Sequence, residues 1–255
     1  MIYITGDTHA DFNRFSTKYF SEQKEMTRED YIIICGDFGG IWDYETSSAR
    51  ETYWLNWLET KPFTLLFVDG NHENFDRLKT FPMVNFHGGK AHKIRENIYH
   101  LMRGYVFDFE GKKFFTFGGA SSHDIQDGIL NMSDYNSWGD LARDYNRRTK
   151  NGEMLRINHY SWWENELPEW REMKRGIDNL KKVDFKVDYV ISHCLPQDVC
   201  SAAGYYGSDK LTLYFNSLIN EYGLKFYRWY CGHYHNERAI MGNYIMKYED
   251  IERII

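Results

Sequence analysis

The sequence predicts an α/β fold in which the first half of the chain pairs its strands in parallel, on three observations. Strand-sized apolar runs recur at residues 2–4, 31–35, 63–68, 189–191 and 226–231, rich in Ile, Val, Phe and Tyr as buried strands are. Segments with helical spacing lie between them. Strand alternating with helix is the pattern that βαβ units leave in a sequence.

In chain order, residues 46–59 put Tyr53, Trp54, Trp57 and Leu58 on one side of a helix. Residues 105–117 alternate with period two on both sides of Glu110-Gly111, which reads as a hairpin that adds antiparallel strands. Residues 121–166 are polar, dotted with Asn, Asp, Gly and Arg, with a helical signal only from Trp138 to Tyr145. They read as an irregular insertion, of the kind that forms lids or binding surfaces. A second helix spans 168–183, with Trp170, Met173, Ile177 and Leu180 on its apolar side, and 239–248 form a second hairpin around Gly242-Asn243. No repeat or Pro/Ser-rich linker divides the chain, so a single domain over 1–255 is expected.

Composition narrows the function. Lys and Arg number 31 against 37 Asp and Glu, a net charge of −6, which argues against an extended duplex-binding face. No run of 18 apolar residues is present, so no membrane-spanning helix is expected. The N-terminus enters a strand at once and has no secretory signal, so a cytoplasmic location is expected. Cys35, Cys194, Cys200 and Cys231 lack C-x-x-C spacing, which leaves them as reduced thiols, three of them at the ends of apolar runs. Aromatic residues reach 18%, and those at 135–170 and Tyr205-Tyr206 fall in polar segments where a rim around a site is expected.

The chemistry lies at the strand ends. Asp7 and His9 follow the first run, Asp37 the second, and Asn71, His72 and Glu73 the third; His193 follows the fourth, and His233 and His235 the fifth. Any one of these alone is ordinary turn or cap chemistry. Five strand ends in succession are another matter, because the carboxyl ends of strands in an open α/β sheet converge on one crevice. In D-x-H and H-x-H, residues two apart project to the same side. Mixed oxygen and nitrogen donors suit Mn, Fe, Zn, Ni or Co, whereas Mg and Ca prefer oxygen alone. The donors are too many for one tetrahedral ion. A pair of ions sharing a carboxylate accounts for them, with Asp37 the natural bridge.

This set, Asp7-x-His9, Gly36-Asp37, Gly70-Asn71-His72-Glu73, His193 and Gly232-His233-x-His235, resembles the calcineurin-like metallophosphoesterase superfamily, in family order along nearly the whole chain. The resemblance implies two mixed β-sheets packed as a sandwich and flanked by helices. It also implies a hydrolase with two divalent transition metal ions, Mn foremost, in which a metal-bridging hydroxide attacks phosphorus. By motif position, Asp7, His9, Asp37 and His235 would hold the first metal and Asp37, Asn71, His193 and His233 the second. His72 would be the unliganded catalytic histidine and proton donor to the leaving group, its charge influenced by Asp37 or Asp69. Ala10 stands where the family usually has Gly, Cys194-Leu195 separates His193 from Pro196, and Glu73 replaces a frequent Asp; none of these removes a ligand. Segments 118–124 and 161–168 resemble those of small bacterial and phage-associated members.

The substrate is expected to be a small phosphorylated molecule, a nucleotide among the options, as a monoester or a diester. Candidate contacts are His123 and Asp124, which follow a strand-like run and a Gly pair, and Arg147 and Arg156 from the basic set of the insertion. Each Arg there also reads as part of a solvated helix face. His87, His92 and His100 read as surface or core histidines. Two other functions fit: a nuclease for single-stranded nucleic acid, supported by the basic insertion and opposed by the net charge, and a protein-binding scaffold, disfavoured because the ligand set is complete. Oligomeric state is left open.

Overall fold

The computed structural model describes residues 1–255 and contains two large mixed sheets. The first comprises β1 (Ile2–Thr5), β2 (Tyr31–Ile34), β3 (Thr64–Phe67), β4 (Met83–Phe86), β5 (Gly89–Arg95) and β6 (Ile98–Leu101). Into the second go β7 (Tyr105–Phe109) and β8 (Lys112–Phe117), while β9 (Ile129–Leu130) and β10 (Arg156–Ile157) form a small parallel pair of their own. The second sheet is completed by β11 (Tyr189–Ser192), β12 (Arg228–Cys231), β13 (Arg238–Ile240) and β14 (Tyr244–Met246); β15 (Glu252–Arg253) returns to the edge of the first. Strand order is β15-β1-β2-β3-β6-β5-β4 in one sheet and β13-β14-β12-β11-β8-β7 in the other. Each has a parallel centre, β1-β2-β3-β6 and β8-β11-β12-β14, edged by antiparallel strands.

Period-two alternation assigns the side chains to layers. Ile2, Ile4, Ile33, Leu66 and Val68 face Phe107, Phe109, Phe114, Ile191 and Tyr230 in the core between the sheets. The intervening residues Ile32, Ile34, Leu65 and Phe67 turn outward and pack with Leu55 and Leu58 of α1 (Ala49–Glu59). On the far side, Phe115, Val190 and Trp229 bury against Leu180 of α4 (Trp170–Lys181), Val199 of α5 (Gln197–Ala203) and Leu211 and Phe215 of α6 (Lys210–Asn220). A short helix, α2 (Phe75–Leu78), follows the third strand end, and α3 (Trp138–Lys150) lies within the polar segment. The expected sandwich of two mixed sheets flanked by helices is what the chain forms. No helix is long and apolar enough to cross a membrane.

The hairpins expected at 105–117 and 239–248 are present as β7-β8 and β13-β14, with Glu110-Gly111 and Met241-Gly242 at positive φ. Segment 121–166 is more regular than its sequence suggests. Ser137 caps α3 by accepting from the Asp140 N–H, and the helix runs five residues past Tyr145. It is held by a small core of Leu130, Leu141, Leu155 and Ile157, and Leu141 is the one fully buried residue of α3. All four cysteines are buried and free.

Phe114 is fully buried between the sheets. Phe114→Ala is expected to lower unfolding stability by about 3–5 kcal/mol, measured by urea denaturation; a change under ~1 kcal/mol would contradict this packing.

Candidate metal centre

Strand ends from the two sheets meet along one edge of the sandwich, and the turns beyond them adopt uncommon backbone conformations. His9, Asp37, His233 and His235 have φ of 45°, 47°, 69° and 46°, a left-handed region that costs a side-chain-bearing residue about 1–3 kcal/mol. The turns are tied to one another: the Thr8 and His9 N–H groups both donate to the Asp37 carbonyl (3.0 and 2.9 Å), and the Thr8 hydroxyl donates to the Phe38 carbonyl (2.8 Å). Arg14, from beyond the first turn, donates to the Asp7 carbonyl (2.7 Å) and to Thr5 Oγ1 (2.9 Å).

Two glycines are required by close approach. A Cβ at Gly70 would lie 2.0 Å from Asp37 Oδ1, and one at Gly232 would lie 2.0 Å from Asp7 Oδ1. Both backbones therefore press against a carboxylate delivered by another strand. Asp37 Oδ1 accepts from the His72 N–H (2.8 Å) and Asp7 Oδ1 from the His233 N–H (3.0 Å). The Oδ2 atoms lie among the imidazoles: Asp7 Oδ2 is 3.1 Å from His235 Nε2 and 3.8 Å from His9 Nε2, and Asp37 Oδ2 is 3.3 Å from His193 Nε2 and 3.7 Å from His9 Nε2.

Three groups of donor atoms result, Asp7 with His9 and His235, Asp7 with Asp37 and His193, and His9 with Asp37 and His72. They overlap at both aspartates and at His9. Asn71 and His233 flank these groups. The Asn71 amide donates to Ser122 Oγ (3.4 Å), which leaves its buried Oδ1 without a partner. His233 Nε2 lies 3.0 Å from His123 Nε2.

This arrangement fits cations. His193 Nδ1 donates to the Cys35 carbonyl (2.7 Å), so the buried Nε2, which makes no hydrogen bond, is the nitrogen that faces a ligand. The field has the right sign too. Burial alone would push the His193 pKa down, yet Asp37 and then Asp7 raise it to about 10. The hydrogen bond that His235 donates to the Asp7 carboxylate raises its pKa. Burial works against ionised Asp37, but His193, His72 and His9 hold its pKa far below the carboxylate range. A pocket that draws positive charge onto imidazoles this strongly favours a divalent ion in place of the proton. The inner ligands are sealed from solvent, whereas the His9 and His235 side chains are 33% and 48% exposed, which leaves a face for substrate.

His72 sits beside this cluster, its ring centroid 5.0 Å from that of His9 and 5.7 Å from that of Trp42. Burial lowers its pKa to about 4, opposed by Asp37 and assisted by Arg156. Asp69, expected to influence His72, turns elsewhere: it pairs with Arg103 and hydrogen-bonds His100 Nε2 (3.0 Å), and His92 lies behind His100. Glu73 holds the Asp37 turn from beneath by accepting from the Phe38 N–H (2.7 Å).

The expected substrate contacts separate. His123 reaches the cluster through His233. Asp124 and Arg156 pair with each other (2.7 Å), and the Arg156 charge is felt at His72. Arg147 is not brought to the centre: it is exposed on α3, pairs with Asp144 (2.5 Å), and makes no hydrogen bond or ion pair with a candidate ligand. Of the aromatic residues expected to form a rim, Trp138 and Tyr160 form an exposed cluster with Tyr44, ring centroids 5.3–5.6 Å apart. Trp163, by contrast, is fully buried, and its Nε1–H donates to Asp76. The anchors Arg14, Ser122 and Glu166 carry no sequence signal of their own, although Ser122 and Glu166 lie in the two segments that resemble the bacterial and phage-associated subgroup. The Ser122 hydroxyl donates to Glu166 (2.9 Å), whose pKa burial raises to about 8.

Mixed donors gathered at the carboxyl ends of parallel strands define a candidate metal site in an α/β sandwich. A profile of the calcineurin-like phosphoesterase family matches residues 1–237, and the chain belongs to that family. It is also similar to lariat debranching enzyme A of Xenopus laevis, 25% identical over 147 residues, which are 52% of this chain and 26% of that protein. The chain thus spans about a quarter of that relative's length.

Gly232→Ala is expected to displace the Asp7 carboxylate and weaken Mn²⁺ binding about 10- to 100-fold, the range typical of lost ligand support. Isothermal titration on a variant with wild-type circular dichroism measures this; unchanged affinity would contradict the role assigned to Gly232.

Proposed function

We propose that the chain hydrolyses phosphoesters with two divalent transition metal ions, Mn foremost, that share Asp37. The observation that carries this reading is the overlap of the donor groups at Asp37, with the partnerless His193 Nε2 and Asn71 Oδ1 beside it. Asp7, His9, Asp37 and His235 would hold one ion, and Asp37, Asn71, His193 and His233 the other. Bound there, the ions supply Lewis acidity toward the phosphoryl oxygens and lower the pKa of water enough for a nucleophile to form near neutral pH.

The chain's own groups then orient the ester and move its proton. The solvent-facing side of His9 and His235 admits the phosphoryl group. His72 is neutral at pH 7 in the free site, and the negative charge of a phosphoester beside it raises its proton affinity. That prepares an imidazolium able to protonate the departing alkoxide. Arg156, fixed by Asp124 and by the Ser161 carbonyl (2.8 Å), adds positive charge on the same side. Likeness to a lariat debranching enzyme supports a nucleic-acid phosphodiester as substrate over a small monoester.

Bis-p-nitrophenyl phosphate tests the reading. Its hydrolysis is expected to stop on chelation and return with Mn²⁺, and on a dinucleotide, whose departing alkoxide needs a proton, His72→Ala should lower kcat about 10²- to 10⁴-fold with metal content unchanged. Activity that survives chelation, or a fully active His72→Ala protein, would sink it.

A further inference from the structure

A cavity of about 250 Å³ opens directly beside His9 and His72, between the turns after β1 and β2 and the start of α1. Its walls include Trp42 and Trp54, with Gly40 and Arg50 also lining it. None of these residues belongs to the candidate metal ligands. The Trp42 and His72 rings lie 5.7 Å apart, so whatever occupies the cavity is joined to the reacting phosphorus by only a few bonds.

The cavity is preformed. Buried Glu51 accepts from the Trp42 and Asp43 N–H groups (3.1 Å each) and pairs with Arg77; Arg77 and Asn74 donate to the Asp43 carbonyl (3.0 and 2.9 Å). A turn held at that many points keeps the Trp42 indole in place before any ligand arrives, which lowers the ordering cost of binding. Arg50 is exposed and makes no hydrogen bond or ion pair, leaving its guanidinium free. At the outer lip Tyr44, two residues from Trp42, joins the exposed cluster with Trp138 and Tyr160.

We infer that this cavity is a nucleobase subsite, so that the phosphoester acted on bears a nucleoside. This rests on the phosphoesterase reading above. A flat ring system suits two indoles beside a guanidinium, since every base has a π-face to stack and polar edges to hydrogen-bond. A purely aliphatic group would make no use of the free Arg50 guanidinium in this lining. Stacking also needs no extended basic surface, which reconciles a nucleic-acid ligand with a net charge of −6.

Two chromogenic diesters with the same leaving group test the inference on Mn²⁺-loaded protein: the p-nitrophenyl ester of thymidine 5′-phosphate and methyl p-nitrophenyl phosphate. The nucleotide ester is expected to have a KM at least about tenfold lower, in line with the loss seen when one stacking side chain is removed. Trp42→Ala should erase that preference by raising KM for the nucleotide ester at least about tenfold more than for the methyl ester, and Trp42→Phe should keep most of it. Equal KM values in the wild-type protein, or equal losses on both esters in Trp42→Ala, would overturn the subsite. If neither ester is hydrolysed, the phosphoesterase reading fails by itself, and calorimetry decides the subsite. Thymidine 5′-monophosphate binding at least about tenfold tighter than inorganic phosphate, with the difference lost in Trp42→Ala, upholds it; equal affinities overturn it.

Discussion

Asp37 is an ionised carboxylate in a place from which water is excluded, and its neighbours are arranged around that fact. One oxygen takes the His72 backbone N–H and the other faces His193 and His9. Its own carbonyl receives the N–H groups of Thr8 and His9, so the turn that delivers Asp37 also positions the turn that delivers Asp7. A buried charge without such partners would cost several kcal/mol. Here the compensation comes from three other strand ends, drawn from both sheets, which makes the centre a property of the whole sandwich.

The sheets make this possible because each has a parallel centre. Parallel strands send their carboxyl ends the same way, and packing the sheets on the shared core of Ile4, Ile33, Leu66, Phe114 and Ile191 brings two such edges together. The left-handed conformations at His9, Asp37, His233 and His235 are then imposed by the close approach of neighbouring turns. Strain of this kind persists where the surrounding structure over-determines it. Gly70 and Gly232 let the backbones come within contact of the carboxylates.

Much of this was legible in the sequence. Short apolar runs with period-two alternation marked the central strands, and a Gly or Ser followed by Asp, Asn or His marked their ends. The strands β4 and β5 were missed because their burial is mixed, with Met83 and Asn85 exposed. α3 was understated because few of its residues are apolar and only Leu141 is buried. The groups that fix the centre from behind were invisible for another reason. Ser122 and Glu166 meet only across 44 positions of sequence. Arg147 looked like Arg156 because both are basic residues of one polar segment; only the fold puts Arg147 on the exposed side of α3 and Arg156 on β10, beside Asp124. The Trp42–Trp54 cavity likewise exists only after α1 folds back beside the turn that follows β2.

The central claim is that Asp37 is shared by two ions, and metal content per chain tests it most directly. After equilibrium dialysis against saturating Mn²⁺, elemental analysis of the wild-type protein should find about two ions per chain, the count a shared-carboxylate centre requires. Because Asp37 serves both sites, Asp37→Ala should lose both. A single ion in the wild-type protein, or an Asp37→Ala protein that retains a full complement, would contradict the account.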